Sequence, residues 1–233
     1  LFHGTLPRCE ILNGDNARAL DSSLLNYQFA LGDLPRYISN LFPSNIITGD
    51  PPVFKSADFS DSVFPPAYIN SSTRRPRVGI SWLGGGRADR LKLKSLDLQT
   101  ILPLLQLADV DIISLQYGKV KSMIDTFNQS HGTNIIYPDV DPVKQFYEWT
   151  AVVDYCDFVV SVANTTIHAA GWLNKPTFCF LSRTFDWRWT KPDIYQDSYW
   201  YSCVKVGRQN LDGSWENAVN QAQRWLKNRI NTL

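Results

Sequence analysis

Phe158-Val-Val-Ser-Val-Ala-Asn-Thr-Thr-Ile-His-Ala-Ala-Gly-Trp-Leu-Asn-Lys-Pro-Thr-Phe-Cys-Phe-Leu181 holds two strand-like runs around one short helical segment. The runs Phe158–Val162 and Thr177–Leu181 are apolar at nearly every position, with no polar alternation. That predicts strands covered on both faces. Between them, Asn164 or Thr165 is a natural N-cap for a helix over Thr165–Leu173, whose sheet-facing side is rich in Ala and Gly. A strand, a helix and a second fully buried strand make a parallel crossover unit.

Working outward, the same alternation covers the rest of the C-terminal two thirds. Strands are expected at Val78–Trp82, Asp111–Gln116, Asn134–Tyr137 and Cys203–Val206. Helices are expected near Asp97–Leu107, Val120–Phe127 and Val143–Tyr155. A closing helix, Trp215–Ile230, carries Ala218, Ala222, Trp225 and Leu226 on one face. The expected fold class is therefore α/β, a Rossmann-like doubly wound parallel sheet over residues 77–233, with no internal repeat. Upstream the composition changes. Ala17–Leu31 places Leu20, Leu24, Tyr27 and Leu31 at helical spacing before Gly32, and a second short amphipathic piece spans Leu34–Leu41. Pro43 to Pro76 then contains six prolines and no sustained period. Residues 1–76 read as a helical and irregular extension ending in an extended connector.

Composition limits the function classes. The chain has 233 residues, with 23 Lys and Arg against 22 Asp and Glu, for a formal charge of +1. A broad nucleic-acid footprint would need a basic domain or stripe, so no nucleic-acid partner is expected. Mean hydropathy is −0.22, and no run of 18 apolar residues occurs, so no transmembrane helix is expected. A soluble globular protein is the expectation. A chain of this size buries about 70% of the surface it exposes when unfolded and needs no metal or disulfide staple. Cys9, Cys156, Cys179 and Cys203 lack paired metal-ligand spacing. Reduced, mostly buried thiols and a cytoplasmic location are the expectation. The first residue is Leu1 rather than Met, so a cut edge is expected there.

Ligands of such sheets lie beyond the C-terminal ends of the strands, so the strand-to-helix turns are where chemistry is expected. The first, Leu83–Ser95, contains Gly84, Gly85 and Gly86 followed by Arg87, Arg90, Lys92 and Lys94. Its glycines permit close backbone approach and its cations suit a phosphate or diphosphate; a solvated turn reads equally well. A G-x-G-x-x-G fingerprint would need Gly at Asp89 and an acidic ribose ligand where Gln116 ends its strand. A Walker A loop would need G-K-[ST], which is absent. Nicotinamide dehydrogenases and P-loop ATPases are thereby disfavoured. The second turn offers Asn164, Thr165 and Thr166 at a helix start, where free amides and hydroxyls form an anion site without Lys or Arg; an ordinary capped helix is the alternative. His168 lies one turn further in and reads as packed rather than catalytic. The third turn, Ser182–Tyr199, is dense in Trp, Tyr and Arg, including Asp186, Trp187 and Arg188. Such residues suit a nucleobase or sugar ring, or a packed corner against the last helix through Trp215 and Trp225.

Ser161-Val-Ala-Asn-Thr-Thr-Ile-His-Ala-Ala-Gly-Trp-Leu-Asn-Lys-Pro176 resembles the S-V-[DS]-[NT]-T-x-x-H-x-A-G-A-L-G-K-P segment of bacterial glycosyltransferases often linked to tetratricopeptide repeats. These are similar to lipopolysaccharide heptosyltransferases (glycosyltransferase family 9) and more distantly to O-linked N-acetylglucosamine transferases. The likeness runs in order through Arg77-Val-Gly-Ile-Ser-Trp-Leu-Gly-Gly-Gly86, Ile113-Ser-Leu-Gln-Tyr-Gly118, and the block from Asp141-Pro142 to Asp154-Tyr-Cys-Asp-Phe-Val-Val160. It continues through Asp186-Trp-Arg-Trp189, Tyr199-Trp-Tyr201 and Val206-Gly-Arg-Gln209.

The resemblance implies the donor-binding half of a GT-B glycosyltransferase. It places Asn164, Thr165 and Thr166 on the donor diphosphate, with Gly84–Gly86 beside donor and acceptor. Lys92 or Lys94 serves as phosphate counter-charge, and Gln116, Asp186, Trp187 and Arg188 face the nucleotide or sugar. It implies no metal and no cofactor beyond a nucleotide-diphosphate sugar as donor. The acceptor, a protein or a glycan, and the catalytic residues stay unassigned, and fused or partner helical repeats are implied. Two departures stand out: Asn174 where relatives carry Gly, and Ala163 where several carry Asp. Residues 1–76 would be the remnant of an acceptor domain plus linker, so the chain is expected to bind donor without transferring efficiently. A non-catalytic nucleotide or nucleotide-sugar binding module is the competing reading.

Overall fold

In the computed structural model, the structure describes residues 75–86, 88–185, 189, 198 and 201–233. The helices and connector expected over residues 17–74 lie outside the described residues. Within them, six parallel strands form one sheet: β1 (Arg77–Ser81), β2 (Asp111–Ser114), β3 (Ile135–Ile136), β4 (Phe158–Val162), β5 (Thr177–Leu181) and β6 (Val204–Arg208). Their spatial order is β3-β2-β1-β4-β5-β6. The chain starts in the middle, winds outward to β3, then returns to pair β4 with β1 and winds the other way. This is the doubly wound Rossmann-like arrangement expected from the sequence, and its switch point lies between β1 and β4.

The helices are α1 (Ala88–Lys94), α2 (Leu102–Leu105), α3 (Lys121–His131), α4 (Phe146–Tyr155), α5 (Thr165–Trp172) and α6 (Glu216–Ile230). Strand residues alternate between the two sheet faces. Val78, Ile80, Phe158, Val160, Phe178 and Phe180 meet Leu104, Ile124, Ala222 and Leu226, which are donated by α2, α3 and α6. On the other face, Ile113 and Val159 pack on Trp149, Val152, Ala169 and Ala170 of α4 and α5. Farther along that face, Cys179, Leu181, Val204 and Val206 enclose Ile167, Trp189 and Tyr201. β2, β3, β4 and β5 each feed two cores, which is why their sequences show no polar face, whereas the edge strand β6 buries Val204 and Val206 on one face and carries Lys205 between them.

Two expectations change. Arg77 and Gly207–Arg208 join β1 and β6, while Leu115 and Gln116 leave β2 before the turn. The basic segment expected as a turn over Leu83–Ser95 is a turn only to Gly86, and Ala88–Lys94 is helical. Lys92 and Lys94 therefore lie on a helix. Trp215 packs edge-on to Phe180, and Trp225 meets Phe158 and Phe178. Both serve the α6 face, whereas Trp189 belongs to the opposite one. The corner expected between the third turn and the last helix is not made by Trp189.

Close approach dictates two glycines. A Cβ on Gly79 would come within 2.5 Å of Leu115 and 2.9 Å of Cys156, and one on Gly171 within 2.4 Å of the Tyr201 ring. Asn174 adopts the left-handed conformation, with φ of 52°, at the end of α5. Asn tolerates that region better than most side chains, which explains how it stands in for Gly.

Cys156 and Cys179 are buried free thiols, and Cys203 is half-buried. Burial pushes the Cys156 thiol up to about 12, with Lys175 acting weakly the other way. Burial pushes Cys179 and Cys203 up as well. A raised acid holds its proton longer in the folded state than in the unfolded chain. Its contribution is complete below the ordinary thiol value of 9.0 and is lost as pH climbs toward 12. Urea unfolding across pH 8 to 12 is expected to show stability falling from about pH 9 upward. Cys156 and Cys179 should resist a thiol reagent at pH 8 until the protein unfolds; rapid labelling of both in the folded state would contradict their burial.

Candidate functional site

The strand ends at the switch point are joined by side chains. Ser81, the last residue of β1, is in register with Ser161 of β4. Gln116 is 3% exposed, and its Oε1 accepts from Ser81 Oγ at 3.0 Å, Trp82 N at 3.0 Å and Leu83 N at 2.8 Å. Its Nε2 donates to Tyr117 O at 3.2 Å. Asn164 approaches from the other side: Nδ2 donates to Ser81 Oγ at 2.8 Å and to Leu83 O at 3.1 Å. Oδ1 of the same residue accepts the Thr166 N–H at 2.9 Å and lies 3.2 Å from Ser161 Oγ.

Asn164 is therefore the N-cap of α5, and its extended backbone, φ −138° and ψ −169°, is the ordinary geometry for that position. The cap leaves Thr165 exposed at the helix start, while Thr166 is 2% exposed. The positive end of the α5 dipole and its remaining first-turn N–H groups face the crevice at the switch point.

Beside this helix start opens a cavity of about 420 Å³ lined by Leu115, Tyr117, Pro142, Phe146, Trp149 and Thr166, among others. Trp149 is 3% exposed, and its indole N–H has no acceptor among the described residues. A neighbouring hollow of about 390 Å³ shares Tyr117 and Pro142 and is lined by Lys119, Asp139, Asp141 and Lys144. Two adjacent hollows therefore meet at Tyr117 and Pro142, one apolar and closed by the helix start, the other with a charged rim.

The glycine loop borders the crevice. Gly84 is buried, because a Cβ there would lie 2.9 Å from Lys94 Cβ at the end of α1. Gly85 and Gly86 are exposed, and Gly86 has φ of 109°. Tyr117 Oη donates to Gly84 O at 2.8 Å. Lys92 is exposed and Lys94 half-buried, and neither makes an ion pair among the described residues.

The structure thus brings Asn164, Thr165 and Thr166 together with Gly84–Gly86. It turns Gln116 inward, its acceptor oxygen holding the turn after β1. Asp186, Trp187 and Arg188 lie outside the described residues. His168 is half-buried, its Nδ1 3.1 Å from Tyr201 Oη, with the Trp189 ring centroid 6.0 Å away. Burial, then the nearby Cys203, pushes the Tyr201 phenol up to about 12, so it stays protonated at neutral pH. Among the described residues, no group of three His, Cys, Asp or Glu could hold a metal ion. No helix among them is long and apolar enough to cross a membrane.

Sequence reasoning missed Ser81, Tyr117 and Trp149. Their signals were present: Ser81 and Ser161 are hydroxyls at or near the ends of otherwise apolar strands, and Tyr117 follows Gln116 directly.

The fold and the site define a doubly wound α/β domain with a ligand-sized crevice and a capped helix start at its switch point. No family model matches the sequence, and no curated protein matches it. Similar solved structures include ADP-heptose lipopolysaccharide heptosyltransferase II from E. coli, at 12% identity and a TM-score of 0.49, over 93% of this chain and 57% of that one. A family 9 glycosyltransferase from Veillonella parvula is similar at 10% identity and a TM-score of 0.44, over 70% of this chain and 41% of that one. The chain thus spans little more than half the length of the first and less than half of the second.

Capping and bracing by Asn164 make separate demands. Asp is as good an N-cap as Asn but has no N–H to donate toward Leu83 O. Asn164→Ala is expected to lose about 1–2 kcal/mol, a cap together with part of the brace. Asn164→Asp should also lose stability in urea denaturation, despite an intact cap. Wild-type stability in Asn164→Asp would show that the amide only caps.

Proposed function

We propose that this chain is the donor-binding half of a GT-B glycosyltransferase, related to family 9, and that it holds a nucleotide-diphosphate sugar at the switch-point crevice. One observation carries the reading: the capped start of α5 and the apolar cavity share Thr165 and Thr166 as a common wall. A ligand filling both must be anionic at one end and flat and apolar at the other. A nucleotide diphosphate has that form. The ordered resemblance of five sequence blocks to glycosyltransferases supports the same reading, and it supplies the sugar.

In this reading the diphosphate accepts hydrogen bonds from the first-turn amides of α5 and from the Thr165 and Thr166 hydroxyls. The base lies against Leu115, Pro142 and Phe146, within reach of the unpaired Trp149 N–H. Lys92 and Lys94, one turn of helix behind the glycine loop, supply positive charge. When the glycosidic bond to phosphate breaks, negative charge grows on the leaving diphosphate. The fixed dipole of α5, with positive charge supplied by Lys92 and Lys94, lowers the barrier without needing a metal. The acceptor, and the base that activates it, come from the opposing half of the enzyme.

A thermal-shift panel of ADP, UDP, GDP, dTDP and CMP with their sugars tests the reading. Ligand at 100 times its dissociation constant should add about 2.7 kcal/mol of stability. The double variant Thr165→Ala/Thr166→Ala should weaken binding by about 1–3 kcal/mol, the scale of hydrogen bonds to a charged group. No shift with any nucleotide would overturn the assignment. Undiminished affinity in a folded double variant would return the two threonines to plain capping.

A further inference from the structure

The turn after β1 has an unusual degree of side-chain support. Trp82 N–H and Leu83 N–H both go to Gln116 Oε1. Leu83 O takes the Asn164 amide, Gly84 N–H goes to Ser95 Oγ at 2.9 Å, and Gly84 O takes the Tyr117 hydroxyl. Trp82 O accepts from Leu96 N at 2.8 Å. From Trp82 to Gly84, every backbone polar group has a named partner, and four of the five partner residues hold it by a side chain. Gly85 and Gly86 then project beyond this fastened segment as an exposed tip.

We infer that Gln116 is a positioning residue: through Ser81, Trp82 and Leu83 it fixes the glycine loop in register with the start of α5, without touching the ligand. The link is continuous. Ser81 Oγ donates to Gln116 and accepts from Asn164 Nδ2, and Asn164 Oδ1 holds the Thr166 N–H. Three hydrogen bonds thus join the end of β2 to the first turn of α5. A buried acceptor taking three donors has little freedom, and removing it strands two backbone N–H groups next to the site. Loose placement by about 1 Å is enough to impair an electrostatic site. The inference rests on the donor-site reading, which gives the loop something to position.

The chemistry separates positioning from contact. If Gln116 touched phosphate, the change Gln116→Glu would set a carboxylate against it and weaken binding more than Gln116→Leu. If it positions, Glu still offers an oxygen to all three donors and rescues in part, losing only the Nε2 bond to Tyr117 O, whereas Leu offers none. The full chain and the two variants are compared by amide hydrogen exchange at Trp82 and Leu83 without ligand. Calorimetric affinity for inorganic pyrophosphate and for ADP is then measured.

The expected result is fast exchange at both amides in Gln116→Leu and slow exchange in Gln116→Glu. Affinity for both probes should fall by about tenfold in Gln116→Leu, equivalent to one hydrogen bond to a charged group, and recover at least partly in Gln116→Glu. Slow exchange in Gln116→Leu overturns the inference, as does fast exchange with unchanged affinity, or weaker binding in Gln116→Glu than in Gln116→Leu. If the wild-type chain binds neither probe nor any nucleotide of the panel, the donor-site reading fails and the positioning role fails with it. The exchange data would still show whether Gln116 fastens the turn.

Discussion

The side-chain amide of Asn164 is the hinge of the structure at the place where function is expected. A doubly wound sheet leaves an open crevice between its two central strands, because consecutive helices depart to opposite faces there. Something must hold the two strand ends together while leaving room for a ligand. Asn164 donates twice toward the β1 side and accepts the Thr166 N–H on its own side. A primary amide is the smallest side chain that can donate twice and accept in the same plane. A carboxylate lacks the donors and a hydroxyl lacks the reach, so the residue type follows from the geometry.

The sheet places this hinge by ordinary packing. Phe178 and Phe180 turn to one core, Cys179 and Leu181 to the other, and the strands between them do the same. On the face covered by α4 and α5 the packing is close enough that Gly79, against Leu115 and Cys156, and Gly171, against Tyr201, have no room for a methyl group. Tight seating of α5 through Ala169, Ala170 and Gly171 brings its first turn to the strand ends. The position of that positively polarised helix end beside the crevice therefore owes much to how small the inner face of α5 is.

Much of this was legible in the sequence. β4 and β5 are where unbroken apolar runs predict them, because strands buried twice leave an unmistakable pattern. The sequence offers Asn164 or Thr165 as the N-cap, and the structure selects Asn164, whose Oδ1 accepts the Thr166 N–H from an extended backbone. Helix α1 was not legible: three glycines and a dense run of positive charge read as a turn and mask the seven helical residues that follow. The family resemblance sets Gln116 toward the nucleotide; in the structure its Oε1 also takes three donors from Ser81 and the turn after it, a demand that only three-dimensional proximity reveals.

Amide hydrogen exchange of the wild-type chain, with and without a saturating nucleoside diphosphate, shows whether the start of α5 and the glycine loop form one anion site. Exchange should slow on binding in residues 165–167 and 84–86 together. Binding that leaves both segments unchanged and slows exchange elsewhere would contradict it.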